Sequence, residues 1–374
     1  MIMQKILIIT GEVSGDIHAS SLINQIKQQT SDFEFWGIGG KKMEEAGVNI
    51  LLPMESLTAI GFISPLINIL NYRRIFKFLH QWMIDYKPKA VILVDFPGFN
   101  LQIACRAHHL KIPVIYYIMP QVWAWGGWRV KQIKKFVDLG LSVLPFACDY
   151  LNEQGVKSEY VGHPVIDSIV NDCSVQNSYP FPDLKSKSTK IIGLFPGSRK
   201  SEIQRHFQIM MDVARSMEKT KPYQFLAAIE QEVVGNLDLP GNVTLIPQGS
   251  YQIMRSAELL VAASGTVTLE GAWFKKPMIV IYRTEWITFV IAKLLAKVES
   301  ISLVNLIAGK KIIPELIQNN VNVRNISSYI QKILEDDSYY GEIVEQLKKV
   351  KCKIGPPGAS RRAAELIIKF ISRF

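Results

Sequence analysis

Asp95 is the residue of this sequence best placed for proton transfer. It directly follows the apolar run Ala90–Val94, which predicts a buried strand, and it precedes a Pro97-Gly98 turn. Ligands of parallel α/β sheets bind at the carboxyl ends of the strands, so a carboxylate held there is suited to general-base work. The alternative is that Asp95 only forms a local turn through its own side chain.

Glu12 and Asp16 are carboxylates at the end of another predicted strand. They belong to the turn Gly11–Asp16, which follows the β-branched run Ile6–Thr10 and precedes a helical pattern. The glycines let the backbone bend and approach a ligand. The turn lacks the GxGxxG spacing of dinucleotide-binding domains, so a Rossmann dehydrogenase is not supported. Asp16 could instead cap the helix that follows.

Ser264-Gly265-Thr266 predicts a site for a phosphate or diphosphate. The apolar run Leu259–Ala263 meets these small residues in a tight turn that opens a helix. Free N–H groups at a helix N-terminus attract anions. Glu270, further along that helix, could face the same cleft and hydrogen-bond sugar hydroxyls. Serine and threonine are also common N-caps, which would explain both hydroxyls without a ligand.

Arg199 adds a cation to a similar arrangement. The run Ile191–Phe195 predicts a strand, Pro196–Arg199 a turn, and a helix begins at about Lys200. An arginine in such a turn can bind a phosphate through two parallel hydrogen bonds.

These strand–turn–helix units recur along the chain and predict its domains. Residues 171–189 are rich in Ser, Asn, Pro, Asp and Lys, which indicates a linker or an irregular start to a second domain. We therefore predict an α/β protein with two Rossmann-like domains facing a cleft, the GT-B glycosyltransferase architecture. The domains are residues 1–170 and 171–350, followed by a C-terminal helix at 351–374 that could pack back on the first.

The composition of the chain limits the classes of molecule that the protein is expected to bind. The chain has 374 residues, 48% of them apolar, and 43 Lys+Arg against 33 Asp+Glu give a net charge of +10, which favours anionic partners. The basic residues are scattered and no nucleic-acid module is recognisable, so we expect no nucleic acid. The four cysteines form no CxxC pair, which argues against a metal knuckle and for a reducing compartment. No apolar span reaches the ~18 residues needed to cross a bilayer.

The segment Leu57–Leu79 has two interpretations. It is apolar, interrupted by Gly61 and Pro65, and carries Arg73, Arg74 and Lys77 near its end. Apolar surface beside cations is typical of interfacial membrane segments. Core helices with a solvated charged edge would give the same pattern.

Taken together, the motifs resemble lipid-A-disaccharide synthases. They occur in order over nearly the whole chain: Gly11–Asp16, Val94–Asn100, Pro120–Trp125, Val161–His163, Pro196–Arg199, Ala263–Glu270 and Ser302–Gly309. The resemblance implies an inverting glycosyltransferase that joins diacylglucosamine from UDP-2,3-diacylglucosamine to 2,3-diacylglucosamine 1-phosphate. The products are the β-1,6-linked lipid A disaccharide 1-phosphate and UDP. It also implies no metal or cofactor, and action at the cytoplasmic face of the inner membrane of Gram-negative bacteria, against its anionic lipids.

The resemblance assigns roles motif by motif. Asp95 matches the essential carboxylate proposed as base, Arg199 the essential arginine, and Glu12 the glutamate of the first turn; these are the catalytic candidates. The substrate-binding candidates lie in the same motifs: Gly11, Ser14, Asp16, Asn100, Gly197, Ser198, Ser264, Gly265, Thr266, Glu270 and Asn305.

Three positions depart from the family pattern, and rival functions remain. Gly98, Met119 and Ala147 stand where the family has an aspartate, a serine and a glutamate, which affects contacts more than the reaction.

Another UDP-N-acetylglucosamine enzyme of this architecture, either a lipid-linked peptidoglycan glycosyltransferase or a 2-epimerase, is the nearest alternative. A non-catalytic nucleotide-sugar-binding membrane protein is the alternative from another class. The sequence leaves the oligomeric state open, a homo-oligomer included.

Overall fold

The computed structural model of the protein describes residues 3–58, 65–124, 126–174, 189–198, 200–218, 222–230, 233, 238–286, 289 and 299–374. The chain forms two units, each with its own parallel sheet. The first comprises residues 1–164 and 357–374, and the second comprises residues 165–356.

The first unit is a seven-stranded parallel sheet with connecting helices. Its strands are β1 (Gln4–Ile9), β2 (Phe33–Gly39), β3 (Asn49–Pro53), β4 (Ala90–Val94), β5 (Val114–Tyr117), β6 (Leu139–Ser142) and β7 (Ser158–Tyr160). Its helices are α1 (Val13–Gln29), α2 (Lys41–Glu45), α3 (Glu55–Thr58), α4 (Pro65–Tyr86), α5 (Pro97–His109), α6 (Arg129–Phe136) and α7 (Pro145–Glu153). The strand order is β3-β2-β1-β4-β5-β6-β7. Every residue of β4 is buried, as expected for a parallel strand covered on both faces.

The second unit repeats this design with six parallel strands. These are β8 (Lys190–Phe195), β9 (Tyr223–Ala227), β10 (Val243–Leu245), β11 (Leu259–Ala263), β12 (Met278–Tyr282) and β13 (Glu315–Ile317). The order is β10-β9-β8-β11-β12-β13. The helices are α8 (Pro164–Ser174), α9 (Lys200–Met217), α10 (Ser250–Ser256), α11 (Val267–Trp273), α12 (Leu303–Ala308), α13 (Val323–Glu335) and α14 (Asp337–Ile354). The predicted fold class, two parallel-sheet α/β domains, is confirmed.

The unit boundaries differ from those proposed on composition. The chain passes between units at 164/165 and 356/357, whereas the sequence placed the changes at 170/171 and 350/351. Helices α8 and α14 run through the two predicted boundaries, because a shift in composition need not coincide with the end of a helix. Of the predicted linker, 171–174 belongs to α8, and 175–188 lies outside the described residues.

The last helix, α15 (Ala359–Ile371), belongs to the first unit and packs against α1. Its apolar face is buried and includes Ala363, Ile367 and Ile371. The Arg362 guanidinium also donates a hydrogen bond of 2.9 Å to the Val161 carbonyl. The first unit is therefore assembled from both ends of the chain.

Candidate active site

Both clusters of predicted site residues lie where the strand order of their sheet reverses. In the first sheet this point falls between β1, which is followed by Glu12, and β4, which is followed by Asp95. In the second sheet it falls between β8, which precedes the turn 196–198, and β11, which precedes the turn 264–266. Loops that diverge at such a point leave a crevice in which α/β proteins bind ligands.

The turn after β4 has an unusual backbone. Asp95 and Phe96 are consecutive non-glycine residues in the left-handed region, with φ of 48° and 50°. Residues kept in sparsely populated conformations cluster at functional sites and persist only where neighbours fix them. Here the Asp95 carbonyl accepts hydrogen bonds from the Tyr116 hydroxyl at 2.6 Å and the Asn100 amide at 2.7 Å. Asn100, predicted to bind substrate, thus directs its amide nitrogen into this turn.

Burial and charge both act on the Asp95 carboxyl. Burial raises its pKa, and the negative charge of nearby Glu12 raises it further, against a smaller lowering by the Phe96 backbone hydrogen bond. Glu12 is the N-cap of α1, so that helix brings its carboxylate towards Asp95. A carboxylate with a raised pKa is a stronger proton acceptor than an ordinary surface aspartate.

Gly11 makes room for this turn. A Cβ at Gly11 would lie 2.5 Å from the Phe96 ring, so any side chain there would displace the ring. The glycine at position 11 was predicted to let the backbone approach a ligand. In the structure it lets the Phe96 side chain of the same unit approach the backbone.

Asp16 lies in the first unit but its carboxylate is already engaged. It is buried and accepts hydrogen bonds from the backbone N–H groups of Gly40, Lys42 and Met43 at 2.8–3.1 Å. These groups lie at the start of α2, so Asp16 caps that helix from a distance rather than facing a ligand. Ser14, also predicted to bind substrate, is exposed on α1.

The second unit contains a pocket of about 220 Å³ at its switch point. Six of the predicted residues line it: Gly197, Ser198, Ser264, Gly265, Thr266 and Glu270. Ser250 and Glu202, which the sequence analysis did not single out, line it as well. Glu202 lies four residues, about one helical turn, after Ser198, and this spacing could have identified Glu202 as a residue of the pocket.

Three backbone N–H groups lie along one side of this pocket. The backbone N–H groups of Gly265, Thr266 and Val267 donate no hydrogen bond within the described part of the chain, and Gly265 and Thr266 are exposed. A Cβ added at Gly265 would contact nothing within 4 Å. The turn therefore presents three adjacent donors to a ligand.

Glu270 gives the pocket a titratable group. Burial raises the pKa of its carboxyl to about 7, and a hydrogen bond from the Tyr251 hydroxyl at 3.5 Å lowers it only slightly. Near neutral pH the carboxyl can therefore both donate and accept, which suits a sugar hydroxyl.

Asn305 belongs to an internal network rather than to the pocket lining. Its side chain is buried, accepts from the N–H groups of Ile312 and Ile313, and donates to the Ile313 carbonyl and to the Glu315 carboxylate. Both polar atoms of the amide are thus satisfied within the second unit. Asn305 fixes the loop before β13.

Ser264 is connected to the same region. Its hydroxyl donates to the Ile301 carbonyl at 2.9 Å, and the Glu315 carboxylate accepts from the N–H groups of Ile301 and Ser302. The Ser264 hydroxyl therefore anchors the segment that begins α12.

The turn after β8 carries Gly197 at a φ of 126°, which disfavours other residues. The Ser198 N–H donates to the Glu202 carboxylate at 3.3 Å. Two residues of the predicted motifs lie outside the described residues: Arg199, predicted to bind phosphate, and Trp125, the last residue of the motif Pro120–Trp125.

The described residues contain neither a group of metal-ligating side chains nor a membrane-spanning helix. Among the described residues, no three His, Cys, Asp or Glu side chains are grouped so as to bind a metal ion. No described helix is long and apolar enough to cross a membrane. Of the segment Leu57–Leu79, residues 59–64 lie outside the described ranges; its two end residues are buried in the core, and Arg73, Arg74 and Lys77 are exposed.

The fold is that of solved glycosyltransferases and a UDP-GlcNAc 2-epimerase. The chain is similar to the crystal structure of the glycotransferase of kitacinnamycin, with a TM-score of 0.66 at 13% identity, covering 98% of this chain and 99% of that one. It is also similar to UDP-GlcNAc 2-epimerase from Neisseria meningitidis bound to UDP-GlcNAc, with a TM-score of 0.63 at 15% identity, covering 98% and 100%. The fold is thus the GT-B type shared by glycosyltransferases and such epimerases.

Sequence comparison defines the family. The family model for lipid-A-disaccharide synthetase matches residues 6–368. The lipid-A-disaccharide synthase of Trichlorobacter lovleyi is 33% identical over 99% of this chain and 98% of its own length, and that of Syntrophus aciditrophicus is 35% identical over 98% of each. The chain belongs to the lipid-A-disaccharide synthase family. It is a hexosyltransferase of lipid A biosynthesis, and the resemblance noted from its motifs is confirmed.

Proposed function

We propose that the protein transfers 2,3-diacylglucosamine from its UDP derivative to 2,3-diacylglucosamine 1-phosphate with inversion at the anomeric carbon. One observation carries the proposal within this family: a carboxyl with a raised pKa, Asp95, in a strained turn beside Glu12. Such a group fits a reaction that must remove a proton from an alcohol.

In the proposed step, the Asp95 carboxylate accepts the proton of the acceptor's 6-hydroxyl. That oxygen forms a bond to the anomeric carbon of the donor, while the bond from this carbon to the diphosphate breaks and its electron pair leaves with UDP. Because attack comes from the face opposite UDP, an α-linked donor gives a β-linked product. The Glu12 charge contributes by keeping Asp95 basic.

The second unit is proposed to bind the departing diphosphate. The N–H groups of Gly265, Thr266 and Val267 supply donors, and Arg199, by its sequence position, supplies positive charge. Glu270 is proposed to hydrogen-bond hydroxyls of the nucleotide sugar, for which its pKa of about 7 is suited.

The test is a product analysis with defined substrates. Purified protein is incubated with UDP-2,3-diacylglucosamine and 2,3-diacylglucosamine 1-phosphate, and lipids are identified by mass spectrometry and the anomeric configuration by NMR. We expect a β-1,6-linked tetraacyl disaccharide 1-phosphate and one UDP per linkage. Epimerised UDP-N-acetylglucosamine, or transfer only to a lipid-linked peptidoglycan precursor, would replace the proposal with the corresponding alternative. Binding of UDP without any product would favour a non-catalytic role.

We further propose that the protein acts at the cytoplasmic face of the inner membrane, with the α4 region against anionic lipid. The exposed cations Arg73, Arg74 and Lys77 lie on one helix of the first unit, beside the exposed Phe78. Each cation near an anionic surface is worth about 1 kcal/mol, and this attraction is screened by salt.

Charge reversal tests this placement. Arg73→Glu, Arg74→Glu and Lys77→Glu together should abolish most binding to vesicles of phosphatidylglycerol and phosphatidylethanolamine. The matched control reverses Lys131, Lys134 and Lys135, which are exposed on α6 of the same unit. Equal losses in the two triple variants would show that net charge, and not the α4 region, governs membrane binding.

A further inference from the structure

His206 is a buried histidine with both ring nitrogens engaged. It lies on α9 with no exposed surface; its Nδ1 is 2.8 Å from the Pro196 carbonyl oxygen and its Nε2 is 2.9 Å from the Arg283 backbone nitrogen. The Arg283 N–H can only donate, so Nε2 accepts and the ring proton is on Nδ1, which donates to Pro196. The contacts thus require one neutral tautomer.

The two residues that are hydrogen-bonded to His206, Pro196 and Arg283, follow two strands that lie on either side of β11. Pro196 follows β8 and Arg283 follows β12, and β11 lies between these strands in the sheet. Two strands separated by a third are about 10 Å apart. Helix α9 packs against β11, so one imidazole can connect both flanking strand ends.

The Arg283 side of this connection is firmly anchored. The Arg283 guanidinium donates to the Val321 carbonyl at 2.7 Å, and the Gln318 side chain pairs with both the N–H and the carbonyl of Thr284. The Pro196 side has fewer attachments. Proline has no N–H, and Gly197 is in the left-handed region. Within the described part of the chain, the Ser198 N–H makes one contact, at 3.3 Å, with the Glu202 carboxylate. Among the contacts between described residues, the 2.8 Å bond from His206 is therefore the shorter polar link of the turn 196–198 to α9.

We propose that His206 is a positioning residue for the nucleotide pocket: its Nδ1–H bond to Pro196 fixes the turn Pro196–Ser198 to helix α9, so that this side of the pocket is preformed for a nucleoside diphosphate. This inference rests on the proposed function of the same pocket. His206 itself does not line the pocket. Burial lowers its pKa, with the charges of Arg205 and Arg283 adding to this and the Pro196 bond and Glu202 opposing it, so the required neutral form is favoured.

Two substitutions separate the two bonds of His206. In His206→Asn the amide nitrogen replaces Nδ1, so the bond to Pro196 can form while that to Arg283 is lost. In His206→Gln the amide oxygen reaches the position of Nε2, so the bond to Arg283 can form while that to Pro196 is lost. Asn242→Ala is the control: it removes a hydrogen bond of 3.0 Å to the Ala214 carbonyl at the other end of α9, away from the pocket residues.

UDP affinity is measured by calorimetry, with thermal melts and the KM values of donor and acceptor for each variant. We expect His206→Gln to weaken UDP binding about five- to tenfold and to raise the donor KM with the acceptor KM unchanged, the range expected for one lost hydrogen bond. His206→Asn should bind UDP within about twofold of the unaltered protein. Asn242→Ala should lower the melting temperature without changing UDP affinity.

Two results would overturn the inference: unchanged UDP affinity in His206→Gln, or a loss in His206→Asn as large as that in His206→Gln. If the Gln variant does not fold, a five- to tenfold loss of UDP affinity in His206→Asn would overturn the inference on its own. If the unaltered protein binds UDP but forms no disaccharide, the proposed transfer fails while the positioning role is still measured by UDP affinity.

Discussion

At the carboxyl edge of the first sheet, the turn after β4 passes through two left-handed residues, Asp95 and Phe96, whereas at that of the second sheet the turn after β11, residues 263–267, has no positive φ. The first edge brings together two carboxylates, Asp95 and Glu12, and raises the pKa of one of them. The second edge presents the N–H groups of Gly265, Thr266 and Val267 at the start of α11, and none of the three donates to another described residue. Under the proposed function this contrast is a division of tasks, in which the first unit accepts a proton and the second binds the departing diphosphate.

The largest expected effect is on turnover when Asp95 loses its basicity. Asp95→Asn should lower kcat by about 10²–10⁴-fold, the usual range for a general base, while UDP affinity stays unchanged. Asp149→Asn, an exposed aspartate of the same unit, is the control. Turnover of Asp95→Asn within twofold of the unaltered protein would remove Asp95 from the mechanism and with it the proposed task of the first unit.

Glu270 tests whether the second edge also carries a buried acid. Its folded pKa of about 7 exceeds the ordinary 4.5, so the folded chain binds the proton more tightly than the unfolded chain. The free energy of unfolding should therefore decrease as pH rises from about 4.5 to 7. Glu270→Gln should remove this slope and be more stable than the unaltered protein above pH 7, by roughly 2–3 kcal/mol at most. Chemical denaturation from pH 4.5 to 8.5 measures this; parallel curves for the two proteins would contradict the raised pKa.

Asp16 should behave as a structural carboxylate, unlike Asp95. Asp16→Ala leaves three N–H groups at the start of α2 without their acceptor and should cost about 2 kcal/mol of unfolding free energy. Asp16→Asn keeps the oxygen that accepts from Gly40 and Met43 but not the one that accepts from Lys42, so its cost should be intermediate. KM values corrected for the folded fraction should not change. A rise in KM for either substrate in both variants would restore the predicted substrate contact.

A pair of glycines gives the smallest effect but the sharpest contrast between the edges. Gly11→Ala should lower the unfolding free energy by about 1–2 kcal/mol, because the new methyl meets the Phe96 ring. Gly265→Ala meets nothing and should leave stability unchanged. If a diphosphate approaches the 265–267 donors, Gly265→Ala should still weaken UDP binding severalfold. Unchanged UDP affinity in Gly265→Ala would show that the phosphates lie elsewhere.

The sequence predicts the strands that consist of consecutive apolar residues, because such runs indicate burial on both faces. The runs Ala90–Val94 and Leu259–Ala263 coincide with β4 and β11, because central parallel strands are covered on both faces. Strand β7, with the short polar sequence Ser158–Tyr160, has no such signal and is set by pairing with β6.

The sequence predicts where the candidate site lies, but it does not predict what each of its residues contacts. Carboxylates and hydroxyls after strand ends mark the switch points, as Asp95 and Ser264 do. Asp16 carries the same signal, yet its partners lie 24–27 residues further along the chain, which no local pattern reveals. The roles of Tyr116 and His206 likewise arise only from tertiary contacts, although a polar group inside an apolar element signals that a hydrogen-bond partner is needed.

The return of α15 to the first unit has a consequence for synthesis. As the chain leaves the ribosome, residues 1–164 emerge first, but α1 lacks the helix that covers it until residues 359–371 have been made. The second unit is continuous in sequence and can complete its own core earlier. The second unit therefore has all its residues before the first unit does. A nascent chain arrested near residue 356 would carry an uncovered apolar surface on α1 that chaperones or proteases could recognise.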